Sequence, residues 1–229
     1  MTANPIIVAL DFADAKDARQ LVSRLGGAVD FYKVGMELYA AAGMSFVHEL
    51  GESGKHVFLD LKLYDIPETV KRAVAQVAKT DVRFLTVHGS NAIMKAAVEG
   101  RAGSGLELLA VTVLTSFDQQ DLAELGYAAS IPELVSLRVR NALAAGFEGI
   151  VCSPLEAAAV RAEAGPQAII VTPGVRSASA EVADQKRVAT PQQALEAGAT
   201  YVVIGREVTR ATDPRAAVER VVNAISIPS

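Results

Sequence analysis

The sequence contains few of the residues that stabilise secreted or metal-binding proteins. Its 229 residues include no tryptophan, three histidines and one cysteine. A single cysteine allows no internal disulfide, so we expect a reducing, cytoplasmic setting. Cys152 lies in an apolar run and is interpreted as a small core residue. No cluster of histidine, cysteine and carboxylate residues has the spacing of a metal site, so no metal is expected.

Long apolar runs and an excess of one charge are also absent. The longest stretch without a charged residue, Ala164–Val175, has 12 residues and two prolines. It is too short to cross a bilayer, and no signal peptide precedes the first apolar run. The chain has 22 basic and 26 acidic residues, a net charge of −4. This balance gives no reason to expect a nucleic-acid or membrane partner.

The chain is instead 51% hydrophobic, and its short apolar runs alternate with amphipathic stretches. The apolar runs predict eight strands: Ile6–Asp11, Phe31–Val34, Val57–Lys62, Phe84–His88, Leu108–Leu114, Gly149–Ser153, Ile169–Thr172 and Tyr201–Gly205. The amphipathic stretches predict helices over Ala15–Leu25, Leu38–Gly51, Val70–Lys79, Ala92–Arg101, Pro132–Ala145, Leu155–Ala164 and Pro191–Ala197. A last helix is predicted to be capped by Asp213 and to begin at Pro214.

Strands that alternate with helices indicate a parallel sheet, and eight such units in 229 residues fit a (β/α)₈ TIM barrel. A doubly wound open sheet is the main alternative. No linker, low-complexity tract or short repeat interrupts the pattern. We therefore expect a single domain over residues 1–229.

Polar residues recur where the predicted strands end. They are Asp11, Lys33, Asp60, Lys62, His88, Thr115, Ser116, Arg176 and Arg206, the last of which follows Gly205 at the end of the eighth strand. Active sites of such barrels gather at the C-terminal ends of the strands. Randomly scattered surface charges would not recur there, so the pattern predicts an active site at this rim.

The third predicted strand carries two charges among apolar residues. Because side chains alternate along a strand, Asp60 and Lys62 should share the face opposite Leu61 and Leu63. A buried structural ion pair is the alternative, although such pairs stabilise proteins little. A strand would therefore rarely keep this pair without a use.

The segment after this strand is predicted to begin a helix at Pro67, which suits a first helical position. Asp65 with Glu68 three residues later fits an N-terminal capping box. A functional role for Asp65 is the other interpretation, and the residues alone leave both open.

Lys62 is expected to stand among carboxylates, which favour its ammonium form. A Schiff-base lysine needs a lowered pKa, so Lys62 suits proton donation to a developing carbanion better than nucleophilic attack. Asp11, Asp60 and Asp65 together are also able to hold a hard cation. His88 is interpreted as a packing residue or one that acts through a neighbour.

The loops after strands seven and eight often bind phosphate in these barrels. Gly205 offers a backbone N–H, and Arg206 and Arg176 offer guanidinium groups that grip phosphate bidentately. Between them, residues 177–190 form a long polar loop that we interpret as a closing flap, the alternative being a solvated loop.

The stretch Asp60-x-Lys62-x-x-Asp65-Ile66-Pro67-x-Thr69 resembles the signature of the orotidine 5′-phosphate decarboxylase family. The resemblance covers essentially the whole chain and departs from the family at no key position. Further matches occur in order: Val8–Asp11, Lys33–Gly35, Val111–Ser116, Val171–Arg176, Asp184–Gln185 and Val203–Arg206.

The resemblance implies cofactor-free decarboxylation of orotidine 5′-monophosphate to uridine 5′-monophosphate (UMP). Lys62 would protonate C6 of the pyrimidine, and Asp60 would lie beside the substrate carboxylate. Asp11 and Lys33 would contact the ribose hydroxyls and position the other charged residues of the network. It further implies that the whole Asp60–Thr69 stretch binds substrate, including Leu61, Leu63, Tyr64, Ile66, Pro67 and Glu68. The remaining implied contacts are Thr115 near the base and Gln185, Gly205, Arg206 and nearby Arg176 at the phosphate.

The resemblance also implies a homodimer in which Asp65 and Thr69 complete the neighbouring site. Related Mg²⁺-dependent sugar-phosphate enzymes, 3-keto-L-gulonate 6-phosphate decarboxylase and hexulose phosphate synthase, share the acid-lysine-acid pattern and are the alternative. A non-catalytic phosphate-binding barrel is a third hypothesis, but its expected sign, loss of Lys62 or Asp60, is absent.

Overall fold

The computed structural model describes residues 4–176 and 189–226. Eight parallel strands form a closed barrel in chain order, from β1 to β8. They are β1 Ile6–Ala9, β2 Phe31–Gly35, β3 His56–Leu63, β4 Val82–Val87, β5 Glu107–Val111, β6 Gly149–Val151, β7 Ile169–Pro173 and β8 Tyr201–Ile204. The predicted (β/α)₈ barrel is therefore confirmed, and the open-sheet alternative was wrong, because β1 pairs with both β2 and β8.

Helices surround the barrel. Those in the described residues are α1 Ala15–Leu25, α2 Met36–Glu52, α3 Pro67–Val77, α4 Asn91–Gly100, α5 Gln119–Glu124, α6 Ile131–Ala145, α7 Ala157–Ala164, α8 Pro191–Glu196, α9 Arg206–Thr209 and α10 Pro214–Ser226. The short helices α5 and α9 were not predicted, because four to six residues are too few to show a helical period. No helix in these ranges is long and apolar enough to cross a membrane.

Several strands end earlier than their apolar runs predict. The predicted fifth strand continues to Leu114, whereas β5 ends at Val111, whose partner in the ladder is Val151 of β6. Beyond that point the chain leaves the sheet to form the rim. Apolarity alone does not mark this boundary, because Val113 is buried in the loop as completely as a strand residue.

Two apolar layers hold the barrel. The outer layer lies between strands and helices, and it includes Leu59 and Leu85. The inner layer fills the barrel itself and includes Phe31, Phe84 and Tyr201, whose ring centroids lie 5.0–5.6 Å apart. Because β3 alternates, Phe58 faces this inner layer, and Asp60 continues the same face toward the C-terminal rim.

Candidate active site

A cavity of about 730 Å³ opens at the C-terminal rim of the barrel. Residues from seven of the eight strand ends, all except that of β4, and from the loops that follow them line it. Those predicted from the sequence are Asp11, Lys33, Asp60, Lys62, Thr115, Ser116, Arg176, Gly205 and Arg206. The structure thus brings together side chains that lie up to 195 residues apart in the printed sequence.

Four charged side chains form a chain of alternating sign across three neighbouring strands. The Lys33 ammonium lies 3.1 Å from Asp11 Oδ1 and 3.7 Å from Asp60 Oδ2. The Lys62 ammonium lies 2.9 Å from Asp60 Oδ1. Asp60 and Lys33 are nearly buried, with 13% and 12% of their side chains exposed, whereas Lys62 is 31% exposed toward the cavity.

Asp60 is the hub of this network. Burial by itself raises the pKa of its carboxyl group, but the charges of Lys33 and Lys62 outweigh burial, aided by hydrogen bonds from Lys62 and from the hydroxyl of Thr86. The net pKa of Asp60 is lowered, so its carboxylate is anionic at neutral pH. The site therefore holds a fixed negative charge beside a partly exposed ammonium group.

The backbone at Lys62 departs from a regular strand. Lys62 has φ = 50°, in the left-handed region, and it is the one non-glycine residue with positive φ in the described ranges. The ladder shifts here, since Leu59 pairs with Leu85 but Leu63 already pairs with Val87. A left-handed non-glycine residue costs about 1–3 kcal/mol and is often found at functional sites. Simple strand alternation did not predict this bulge.

The apolar residues of the same strand lie away from the cavity. Leu61 and Leu63 are partly buried and pack against the outer core, as their predicted face requires. Neither lines the cavity. The Leu61 and Leu63 side chains are therefore not placed to contact a substrate in the cavity of their own chain.

The segment after β3 is exposed and does not line the cavity of its own chain. Tyr64, Asp65, Ile66, Pro67, Glu68 and Thr69 are all exposed, and none lines the cavity. The predicted capping box was wrong, because Ile66 holds the N-cap position of α3 without a side-chain bond. Asp65 Oδ1 instead accepts the Ile66 N–H at 2.6 Å, and Glu68 pairs with Arg72 at 2.8 Å.

The predicted phosphate end of the cavity combines the ends of β7 and β8. Gly205 is the N-cap of α9, and Arg206 is the first residue of that helix. The loop after β7 is tied by a bond of 3.0 Å from the Arg176 N–H to the Ala189 carbonyl. Gln185 and most of the predicted flap, residues 177–188, lie outside the described residues.

His88 lies behind the cavity wall and does not line the cavity. Its Nδ1 is 3.0 Å from the Val111 carbonyl oxygen of β5. Burial lowers the pKa of the imidazole, and the positive charges of Arg138 and Lys62 lower it further. His88 is therefore neutral at pH 7 and contacts the strand that leads to the Thr115 loop.

Gly35 and Thr86, which were not predicted as site residues, support the charged network. At Gly35, a Cβ atom would stand 3.1 Å from Lys33 Nζ and 3.4 Å from Asp11 Oδ1, so a side chain would crowd their ion pair. The motif Lys33-Val34-Gly35 carried this signal. Thr86 contacts Asp60 from β4, but in sequence it is one threonine within an apolar strand and gives no signal.

A cation site made of Asp11, Asp60 and Asp65 is not formed. No group of three or more histidine, cysteine or carboxylate residues is placed to hold a metal ion within 4–176 and 189–226. Asp11 and Asp60 instead share the Lys33 ammonium, and Asp65 binds its neighbouring backbone.

The fold and the site together define a (β/α)₈-barrel enzyme with an acid-lysine network at the strand ends. Residues 4–221 match the model of the Orotidine 5'-phosphate decarboxylase / HUMPS family. The chain belongs to this family.

Similar proteins support that membership over nearly the whole chain. An orotidine 5'-phosphate decarboxylase of Bradyrhizobium sp. (strain ORS 278) is 52% identical over 221 residues, 96% of this chain and 91% of that protein. One of Methylorubrum extorquens (strain PA1) is 52% identical over 217 residues, covering 95% and 93%. The crystal structure of orotidine 5'-phosphate decarboxylase from Lactobacillus acidophilus has a TM-score of 0.86 at 36% identity, covering 97% of this chain and 99% of that one.

Proposed function

We propose that this chain decarboxylates orotidine 5′-monophosphate to UMP, the last step of de novo UMP synthesis. The observation that carries the proposal is the Lys33–Asp60–Lys62 network, with its outermost ammonium facing a cavity of about 730 Å³. A carboxylate between two lysines suits a reaction that builds negative charge on carbon and then quenches it. Relatives of 52% identity that carry this enzyme's name favour it over the sugar-phosphate alternative.

The chemistry follows from the positions of the two central residues. The bond from C6 to the carboxylate breaks, CO₂ leaves, and the electron pair stays on C6. The Lys62 ammonium then gives its proton to C6, forming UMP and a neutral amine that solvent reprotonates. Asp60, anionic and 2.9 Å from Lys62, orients the ammonium and faces the departing carboxylate. No cofactor takes part in this scheme.

The other cavity residues would hold the remaining parts of the nucleotide. Asp11 and Lys33, paired at 3.1 Å, would face the ribose hydroxyls, and Thr115 would face the base, as the family resemblance implies; all three line the cavity. Arg206 and the Gly205 backbone, with Arg176 nearby, bind the phosphate. Gln185 is assigned to the phosphate by the family resemblance alone.

We further propose a homodimer in which Asp65 and Thr69 complete the partner's site. Both residues are exposed, and neither lines the cavity of its own chain. Tyr64 and Ile66, which flank Asp65 in the chain, are 69% and 66% exposed. Exposed large apolar side chains on neighbouring residues are typical of a surface that another protein covers. The same segment would then bind substrate across the interface, and the enzyme would work as one domain in the cytoplasm.

The proposed reaction is tested by turnover of orotidine 5′-monophosphate with excess chelator, followed by the loss of substrate absorbance. We expect full activity without added metal. A strict requirement for Mg²⁺ would favour the sugar-phosphate relatives. Saturable binding of UMP without turnover would favour a non-catalytic binding barrel.

The shared site is tested by mixing two inactive variants. Lys62→Ala and Asp65→Ala chains, refolded together, should regain part of the wild-type activity, because a hybrid dimer holds one site with both residues intact. Each variant refolded alone is the control. Heterodimers confirmed by mass spectrometry that remain inactive would contradict the shared site.

A further inference from the structure

We propose that Thr86 is a positioning residue that sets the Lys62 ammonium for proton transfer through the backbone bulge at the end of β3. The proposal rests on the proposed decarboxylation, for which it names a further residue. Thr86 lies on β4, is fully buried, and does not line the cavity. It acts through its neighbours and not by touching the substrate.

The Thr86 hydroxyl joins the two central residues of the site. It donates a hydrogen bond to Asp60 Oδ1 at 2.9 Å and accepts one from the backbone N–H of Lys62 at 2.9 Å. Asp60 Oδ1 is the same atom that accepts the Lys62 ammonium at 2.9 Å. One hydroxyl therefore holds the carboxylate and the backbone of the lysine that pairs with it.

The hydrogen bond from the Lys62 N–H to Thr86 lies at the irregular part of the β3 backbone. Lys62 is left-handed at φ = 50°, in the segment where the β3–β4 ladder shifts register. Because the ladder is irregular there, no carbonyl of β4 stands in a regular ladder position to accept a hydrogen bond from the Lys62 N–H. The Thr86 hydroxyl accepts that hydrogen bond instead. A left-handed residue persists only where its surroundings hold it. The Thr86 hydroxyl is the side-chain contact that holds the Lys62 backbone N–H.

A purely structural hydroxyl would have a different pattern of contacts. The other threonines buried completely in the described ranges, Thr112 and Thr172, each donate to one backbone carbonyl of an adjacent strand. Thr86 instead donates to a charged group of the site and accepts from the residue proposed to give the proton. This contrast makes Thr172 a matched control.

The test compares Thr86→Val, which keeps the shape and loses the hydroxyl, with Thr86→Ser, which keeps the hydroxyl. We expect Thr86→Val to lower kcat about 100-fold, as expected for a catalytic group displaced by about 1 Å. KM should stay unchanged, because Thr86 contacts no substrate. Thr86→Ser should retain most of the kcat, and Thr172→Val should keep both constants.

A second measurement reads the backbone directly. Exchange of the Lys62 amide proton with solvent, followed by NMR, should be slow in the wild type and in Thr86→Ser and faster in Thr86→Val. Should Thr86→Val fail to fold, Thr86→Ala compared with Thr86→Ser isolates the same hydroxyl.

Each remaining outcome is decisive. Equal kcat for hydroxyl-bearing and hydroxyl-free variants would overturn the proposal, and so would an equal loss of kcat in Thr172→Val. A loss confined to KM would also overturn it. A wild type that turns over no orotidine 5′-monophosphate would instead refute the proposed function, and the exchange measurement would still test the hydroxyl's hold on Lys62.

Discussion

The two ends of this barrel are built from the same eight strands but satisfy their polar groups in opposite ways. At the N-terminal end, Arg83 covers the rings of Phe31, Phe84 and Tyr201, with its guanidinium 5.0–5.6 Å from their centroids. It also pairs with Glu107 at 3.1 Å. At this closed end, the charged Arg83 side chain covers the aromatic rings of the inner core and is itself paired with Glu107.

At the C-terminal end, the inner layer gives way to the charges of Asp11, Lys33, Asp60 and Lys62 around a cavity. The buried Asp60 carboxylate is stabilised by lysines on two strands and by the Thr86 hydroxyl. Removing a residue from the closed end should therefore cost stability, whereas removing one from the open end should cost chemistry. The following predictions test that division, from the largest effect to the smallest.

The largest effect is expected for Lys62→Ala at the open end. Loss of the proton donor should lower kcat by about 10⁴-fold, the upper part of the range for a general acid. Lys71→Ala on α3, whose ammonium pairs with exposed Glu99, is the matched control and should keep wild-type kcat. Circular dichroism should show both variants folded. Near-normal turnover by Lys62→Ala would remove it as the proton donor.

Phe84→Ala should produce the largest change in stability at the closed end. Phe84 is fully buried between Phe31, Phe58 and Tyr201, so its loss leaves a cavity that costs about 3–5 kcal/mol of unfolding free energy. Denaturant unfolding measures this, with the exposed Leu125→Ala as control. At temperatures where the variant is folded, kcat should match the wild type. A fall in kcat without loss of stability would contradict the expectation that residues at the closed end act on stability and not on chemistry.

Arg83→Met should have a smaller effect of the same kind. Methionine keeps an apolar stem over the rings but loses the cation–π contacts and the Glu107 pair, so unfolding should become easier by about 1–2 kcal/mol. Arg72→Met on the surface of α3, which removes an exposed pair with Glu68, should change stability less. An equal change in both variants would show that the three rings add nothing to the contribution of Arg83.

The smallest effect concerns His88, which lies near the open end but does not line the cavity, so its removal should change stability. Its folded pKa is lowered, mainly by burial, relative to about 6.5 in an unfolded chain. Because the folded chain binds a proton at His88 less readily than the unfolded chain does, the stability contributed by neutral His88 is fully present above the unfolded pKa. This stability is lost as pH falls through the folded pKa. The difference in unfolding free energy between wild type and His88→Gln should therefore shrink between pH 7.5 and pH 5, by at most about 1.4 kcal/mol per pH unit. A difference independent of pH would show that His88 does not titrate in this way.

Much of the site was predictable because strand ends are visible in sequence. Asp11, Lys33, Asp60 and Arg206 each follow an apolar run, and a parallel barrel brings such positions to one rim. The orientation of Leu61 and Leu63 toward the outer core also followed from alternation. The extent of the domain over residues 1–229 and the roles of the individual site residues stay predictions.

The errors have two causes, a competition between local contacts and a set of contacts between strands. The capping box at Asp65 and Glu68 was plausible locally, but Asp65 bonds the Ile66 N–H and Glu68 bonds Arg72. The left-handed Lys62 and the bond from Thr86 were not foreseen either, because they depend on the register of β3 against β4. Contacts between strands distant in sequence leave no local pattern.

The alternation of strands and helices, the polar strand ends and the acid-lysine pair could be predicted from residue order alone, since periodicity and strand ends are local properties of the chain. The closure of the sheet and the sharing of partners among the charges became visible only in the folded barrel. The tertiary structure placed Lys33 between Asp11 and Asp60, and it bent the end of β3 so that Lys62 returns to Asp60. These arrangements depend on ladder register and on a buried hydroxyl from the next strand, which exist only once the barrel has closed.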